Sequence, residues 1–82
     1  MLTHAKSVSL DKEADAAYIA FSALAVVRTD EIEDGVLVDF DDFGNPVGVE
    51  ILAVHSRAGT NDPASWAAGL AEGLLSRLST AA

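Results

Sequence analysis

Three carboxylates and a glycine carry the spacing richest in possible chemistry. Asp39, Asp41, Gly44 and Glu50 fall at positions 1, 3, 6 and 12 of the loop pattern by which an EF-hand wraps calcium in oxygen ligands. Position 5 is Phe43, which offers no ligand oxygen, and the flanks read as strands where an EF-hand has helices. The plainer reading gives Asp39 and Asp41 to an exposed strand face and Gly44 to a turn. Both uses stay open: a divalent cation or small ligand at Asp39, Asp41 and Glu50, or a solvated acidic strand. Asp39 and Glu50 share a sheet face and so form a carboxylate pair of the kind used in general acid-base work. That work needs a cleft that excludes water and shifts a pKa, and 82 residues supply little material for one. No serine stands in a nucleophile-elbow motif, and His4 and His55 lie in loop-like stretches without ligand spacing. The chain therefore reads as non-catalytic, with no cofactor.

The element that must position these carboxylates is the stretch 36–54, VLVDFDDFGNPVGVEILAV, which alternates like two strands joined at Asp42-Phe43-Gly44-Asn45. Pairing Val38 with Val49, Phe40 with Val47 and Val36 with Ile51 makes one continuous apolar surface. The same register sends Leu37, Asp39 and Asp41 to the opposite face with Gly48, Glu50 and Leu52. A slip by one residue would mix the two sets, so burial should fix the pairing. Pro46 lacks an amide hydrogen and belongs at a strand start.

Around this hairpin the chain offers further elements. Residues 7–10 alternate as a short first strand, and an acidic turn follows at 11–15. Residues 14–25 support two readings: alanine content and the spacing of Ala14, Ala17, Tyr18, Phe21 and Ala25 favour a helix, whereas 18–21 also suit a strand buried on both faces. Residues 26–29 are strand-like, and a turn is expected at Asp34-Gly35. If 18–21 is a strand, the joint at 22–25 has no turn-forming residue. Beyond Val54, residues 55–61 read as a polar linker. Asp62-Pro63 then starts a helix, with an N-cap carboxylate and proline in the first turn. Its apolar stripe is Trp66, Ala67, Leu70, Ala71, Leu74 and Leu78, and Gly69 and Gly73 would let it approach a sheet or a partner helix closely. Tyr18 and Trp66 are assigned to core packing.

Composition narrows the partners. Thirteen acidic residues against five basic ones give a formal charge of -8, which repels a phosphate backbone and argues against nucleic acid. There is no cysteine, hence no disulfide framework or thiolate metal site. No stretch is apolar enough to span a membrane or to serve as a signal peptide, so the expected location is cytoplasmic. A chain this short has a small core, and self-association is a natural way to enlarge it.

The segments Leu10-Asp11-Lys12-Glu13-Ala14-Asp15-Ala16-Ala17-Tyr18-Ile19, Asp34 to Asp41, Gly44, and Val47-Gly48-Val49-Glu50-Ile51-Leu52 resemble, in order, the motifs of the prokaryotic family known as domain of unknown function 2283. The resemblance spans about residues 8–54 and implies that 17–21 is a strand; it brings no activity with it. The resulting expectation is one α+β domain. Four to five strands form an antiparallel β-meander over 7–54, the linker occupies 55–61, and one helix over 62–79 packs on one face. Val36, Val38, Phe40, Val47, Val49 and Ile51 are the expected core, met by Leu70 and Leu74. One helix covers one sheet face, which leaves Leu37, Asp39, Glu50 and Leu52 as an interaction face. Self-association into a dimer or higher oligomer is the first use expected of it. The alternative is an antitoxin- or inhibitor-like module that neutralises a basic partner protein.

Overall fold

The computed structural model describes residues 4–59 and 61–80. The chain forms β1 (Ser7–Asp11), β2 (Ala16–Ala20), β3 (Arg28–Glu33), β4 (Val36–Phe40), β5 (Pro46–Leu52), α1 (Val54–Ala58) and α2 (Pro63–Thr80). The strands make one antiparallel sheet in the order β1-β2-β5-β4-β3. This is the expected α+β arrangement, with one departure from a sequential meander. The hairpin β1-β2 and the run β3-β4-β5 are joined side by side through β2 and β5.

That order explains the chemistry of residues 21–27. They do not turn between neighbouring strands but cross the ends of β5 and β4 to reach the far edge. Three strand spacings are roughly 14 Å, well within the reach of this segment at about 3.3 Å per residue. Phe21 N and Ser22 N donate to Val47 O at 2.8 and 3.2 Å, and Val27 N donates to Phe40 O at 2.9 Å. A strap held in this way needs no glycine or proline. Its last residues are outside the sheet, so β3 begins at Arg28, later than the β-branched run suggests.

β2 is a strand despite its helix-favouring alanines. It lies between β1 and β5, and Ala16, Ala17 and Ile19 are all buried. Two hydrogen-bonded neighbours, a buried Ala17-Ile19 face and a largely covered opposite face override a propensity difference of a few tenths of a kcal/mol per residue.

In the central hairpin Val38 pairs with Val49 and Val36 with Ile51, as the alternation requires. The register shifts between Asp39 and Phe40, so Phe40 faces Pro46 where Val47 was expected. This bulge lets proline enter the pair without supplying a donor. At the tip, Gly44 has φ 82°, a conformation open to glycine at no steric cost.

The covered face holds Ala17, Ile19, Phe21, Val36, Val38, Phe40, Val49 and Ile51 in one cluster with Val54. From α2 it receives Ala67, Ala71, Leu74 and Leu75, while Trp66, Leu70 and Leu78 pack at its margin. Leu75 is fully buried and Leu70 only partly so, which rotates the stripe slightly from its expected axis. The helix lies over β1, β2 and β5. Beyond its reach, Arg28 stacks over the Phe40 ring at 4.5 Å from the centroid and pairs with Asp30 at 3.1 Å. The long arginine side chain thus shelters apolar surface that the helix does not cover.

Two details of the C-terminal part differ from the sequence reading. Gly69 and Gly73 are exposed, and a Cβ added to either would meet nothing within 4 Å among the described residues, so they face away from the sheet. Most of the expected linker is α1, which begins one residue earlier at Val54, buried in the core; residue 60 lies outside the described residues. Asp15 anchors this helix from the β1-β2 turn: its carbonyl accepts from Val54 N at 3.0 Å, and its Oδ1 accepts from His55 N at 3.1 Å. His55 Nδ1 approaches the same oxygen at 2.7 Å, so this exposed histidine is tied to the β1-β2 turn. The side-chain bond to His55 holds the Asp15 carboxyl below its ordinary range. At the start of α2, Asp62 Oδ1 accepts from Ser65 N at 3.2 Å, which is the expected N-cap.

Candidate interaction face

Strand alternation sends one set of side chains to the face that α2 leaves open. From the pairing registers these are Ser7, Ser9 and Asp11 of β1; Ala16, Tyr18 and Ala20 of β2; Gly48, Glu50 and Leu52 of β5; Leu37 and Asp39 of β4; and Thr29 and Glu31 of β3. All four residues expected to form an interaction face, Leu37, Asp39, Glu50 and Leu52, are brought together here.

A hydrogen-bonded brace crosses four strands of this surface. Tyr18 stands opposite Glu50, and its ring runs diagonally over Gly48. A Cβ on Gly48 would collide with the Tyr18 hydroxyl oxygen and Cζ, so only glycine fits beneath the ring. Gly48 in turn stands opposite Asp39, and Asp39 opposite Thr29. The Tyr18 hydroxyl donates to Asp39 Oδ2 at 2.7 Å, and the Thr29 hydroxyl donates to Asp39 Oδ1 at 2.6 Å. Burial pushes the Tyr18 phenol well above its ordinary pKa, and the Asp39 carboxylate it serves adds to the shift, with Glu50 contributing at longer range.

These contacts decide what the face can do chemically. Both Asp39 oxygens are engaged, and the tyrosine proton is held more tightly than usual. The Tyr18 phenol is therefore not poised for proton transfer near neutral pH. Glu50 carries no hydrogen bond or ion pair among the described residues, and with Ser9, Asp11, Ala14, Ala16 and Tyr18 it lines a shallow depression of about 250 Å³. Tyr18 therefore belongs to the open face, not to the core to which its aromatic ring assigned it.

The cation pattern is not assembled. Asp39 is occupied by Tyr18 and Thr29. Asp41, expected beside it on the strand face, is instead buried where the chain leaves β4. Its Oδ1 accepts from Phe43 N and Asn45 N, both at 2.9 Å, closing the turn. Among the described residues no group of three or more His, Asp or Glu side chains is placed to hold a metal ion. His4 and His55 belong to no such group.

The match to known families coincides with this geometry. The model of the family described as protein of unknown function (DUF2283) matches residues 7–54, which hold all five strands and every residue of the brace. The chain belongs to this family. Helix α2 and all of α1 except Val54 lie beyond the DUF2283 match, so the family model describes the sheet and not its cover. No curated protein and no solved structure matches the chain. Among the described residues no helix is long and apolar enough to cross a membrane.

The residue that sequence reasoning missed is Gly48, together with its tie to Tyr18. A signal was present: glycine inside a strand interior often marks a close approach by another group. Identifying the group required knowing that β2 lies next to β5.

Proposed function

We propose that this DUF2283 chain is a non-catalytic interaction domain whose helix-free sheet face receives a basic partner protein, in the manner of an inhibitor- or antitoxin-like module. One observation carries the reading. The strand residues on that face include Asp11, Glu31, Asp39 and Glu50 but no lysine or arginine. Leu37, Leu52 and Tyr18 lie among these carboxylates, so the surface offers apolar anchors within a field of one sign. Two such faces stacked about a two-fold axis would bring carboxylates against carboxylates. A partner with the opposite charge meets no such penalty.

Affinity capture from the native lysate at low and high salt tests this, with the retained protein identified and then purified for binding to the wild-type chain and to a Glu31→Lys, Glu50→Lys variant. The expected result is a stoichiometric basic protein, released by salt and bound at least about tenfold more weakly by the variant. Equal binding to both chains, or no partner from a working capture, contradicts the reading.

Self-association is the second reading, and the sheet edges favour it. β1 and β3 each have one neighbour, so each leaves a row of backbone groups available to another strand. Light scattering separates the two readings: a dimer indifferent to salt supports edge pairing, and a monomer at high concentration removes it.

A further inference from the structure

We propose that the end of the sheet where residues 21–27 cross the 41–45 hairpin is a second docking site, which takes a lysine or arginine side chain from an apolar segment of a partner protein. The site stands apart from the helix-free face and does not depend on the reading given for it. Asp41 is only 5% exposed. Its Oδ1 is spent on Phe43 N and Asn45 N, while Oδ2 is buried with no hydrogen-bond partner among the described residues. A buried carboxylate oxygen without a donor is unfavourable, and a cationic donor satisfies both its charge and its lone pairs.

The surroundings specify what brings that donor. Asp41 lines a depression of about 130 Å³ with Leu24, Ala25, Val27, Asp42 and Phe43. Val27 at 60% and Phe43 at 84% are the most exposed large apolar side chains among the described residues, and Leu24 at 57% lies beside them. Such walls fit the aliphatic stem of lysine or arginine and the apolar residues that flank it. Oδ2 is shut off from water in the free chain, so a donor reaches it only when the exposed Leu24, Val27 and Phe43 side chains swing aside. Asp42 and the overall charge of -8 draw a cation toward it.

A metal ion is a poor occupant, because the two carboxylates Asp41 and Asp42, one of them partly spent on the turn, fall short of a coordination shell, and no group of three or more ligating side chains is placed to hold a metal among the described residues. A second copy of this chain is also a poor one. Arg28 is engaged by Asp30 and Phe40, Arg57 by the Asp34 carbonyl, and Arg77 by Glu33. Lys12 stands between Asp11 and Glu13, and Lys6 between Ala5 and Ser7, so neither sits in an apolar segment.

The test is a titration of the isotopically labelled chain with short capped peptides that carry one arginine or one lysine between leucines, and with a matched norleucine peptide. The amide resonances of Phe43 and Asn45, which donate to Asp41, report the site together with those of Leu24 and Val27. Saturable shifts are expected with the basic peptides, and binding about tenfold weaker with norleucine. The Asp41→Asn variant keeps a side-chain oxygen for the two amides and should lose the preference for the basic peptides. Three results would overturn the proposal. They are no saturable shift with either basic peptide, equal binding of the norleucine peptide, and concentration-dependent shifts of the same amides without peptide, which would assign the patch to a second copy.

Discussion

The two faces of the sheet are built on different rules. On the helix side of the sheet, Ile19, Val38, Val49 and Ile51 are each 0% exposed, and the requirement at every position is apolar volume of about the right size. On the open face the requirement is a particular set of partners: a tyrosine on β2, no side chain at all on β5, and an acceptor on β4 that a β3 hydroxyl also reaches. The first face is specified by pattern and tolerates substitution in kind. The second is specified by identity and does not.

The largest expected effect comes from placing on one face what belongs on the other. Val49→Asp buries an unpaired carboxylate and should cost more than about 4 kcal/mol. A chain of this size has a total stability of roughly 4–12 kcal/mol, so the variant should lose at least about a third of it, and its thermal transition by circular dichroism should move far down in temperature or vanish. Gly48→Ala probes the open face with a single methyl group. It should destabilise by about 1–3 kcal/mol in urea, as overpacking does, although alanine suits a strand better than glycine does.

Smaller effects sharpen the contrast with surfaces that have no such constraint. Gly69→Ala and Gly73→Ala lie on the exposed side of α2, where an added Cβ meets nothing within 4 Å among the described residues. Each should stabilise the chain by about 1 kcal/mol, raising Tm by about 4–8 °C. The same change, glycine to alanine, therefore has opposite signs on the helix and on β5.

The brace should also make stability depend on alkaline pH. Tyr18 is the one tyrosine, so the phenolate absorbance reports on it alone. Its folded pKa is raised, so the folded chain binds that proton more tightly than the unfolded chain does. The contribution is complete below about pH 10, the unfolded value, and is lost as the pH rises through the folded one. Tm should fall above about pH 10 in the wild type and less steeply in Tyr18→Phe.

How much of this was legible depended on whether a feature was local. The register of Val36, Val38, Val49 and Ile51 follows from alternation within one hairpin, and it is what the structure has. The N-cap at Asp62 and the helix after it are likewise local signals. By contrast, β2 and its pairing with β5 are long-range. Alanine-rich residues 14–25 favoured a helix by propensity while 18–21 also suited a buried strand, and the resemblance to DUF2283 decided for the strand. The joint at 22–25 seemed poor as a turn because it is a strap across two strand ends. The site was half legible for the same reason. Leu37, Asp39, Glu50 and Leu52 were placed on one face by parity within the hairpin, whereas Tyr18 and Thr29 reach Asp39 from strands whose neighbours no local pattern reveals. Asp41 broke the parity because the strand ends at Phe40 and its carboxylate closes the turn.

The most direct test of the open-face geometry is a double-mutant cycle in urea with Tyr18→Ala, Gly48→Ala and the combined variant. If Gly48 is a slot for the tyrosine ring, adding the methyl group should cost about 1–3 kcal/mol in the wild type and no more than a few tenths once the ring is gone, a coupling of at least about 1 kcal/mol. Equal costs in the two backgrounds would mean that Tyr18 does not lie over Gly48, and the brace across the four strands would have to be abandoned.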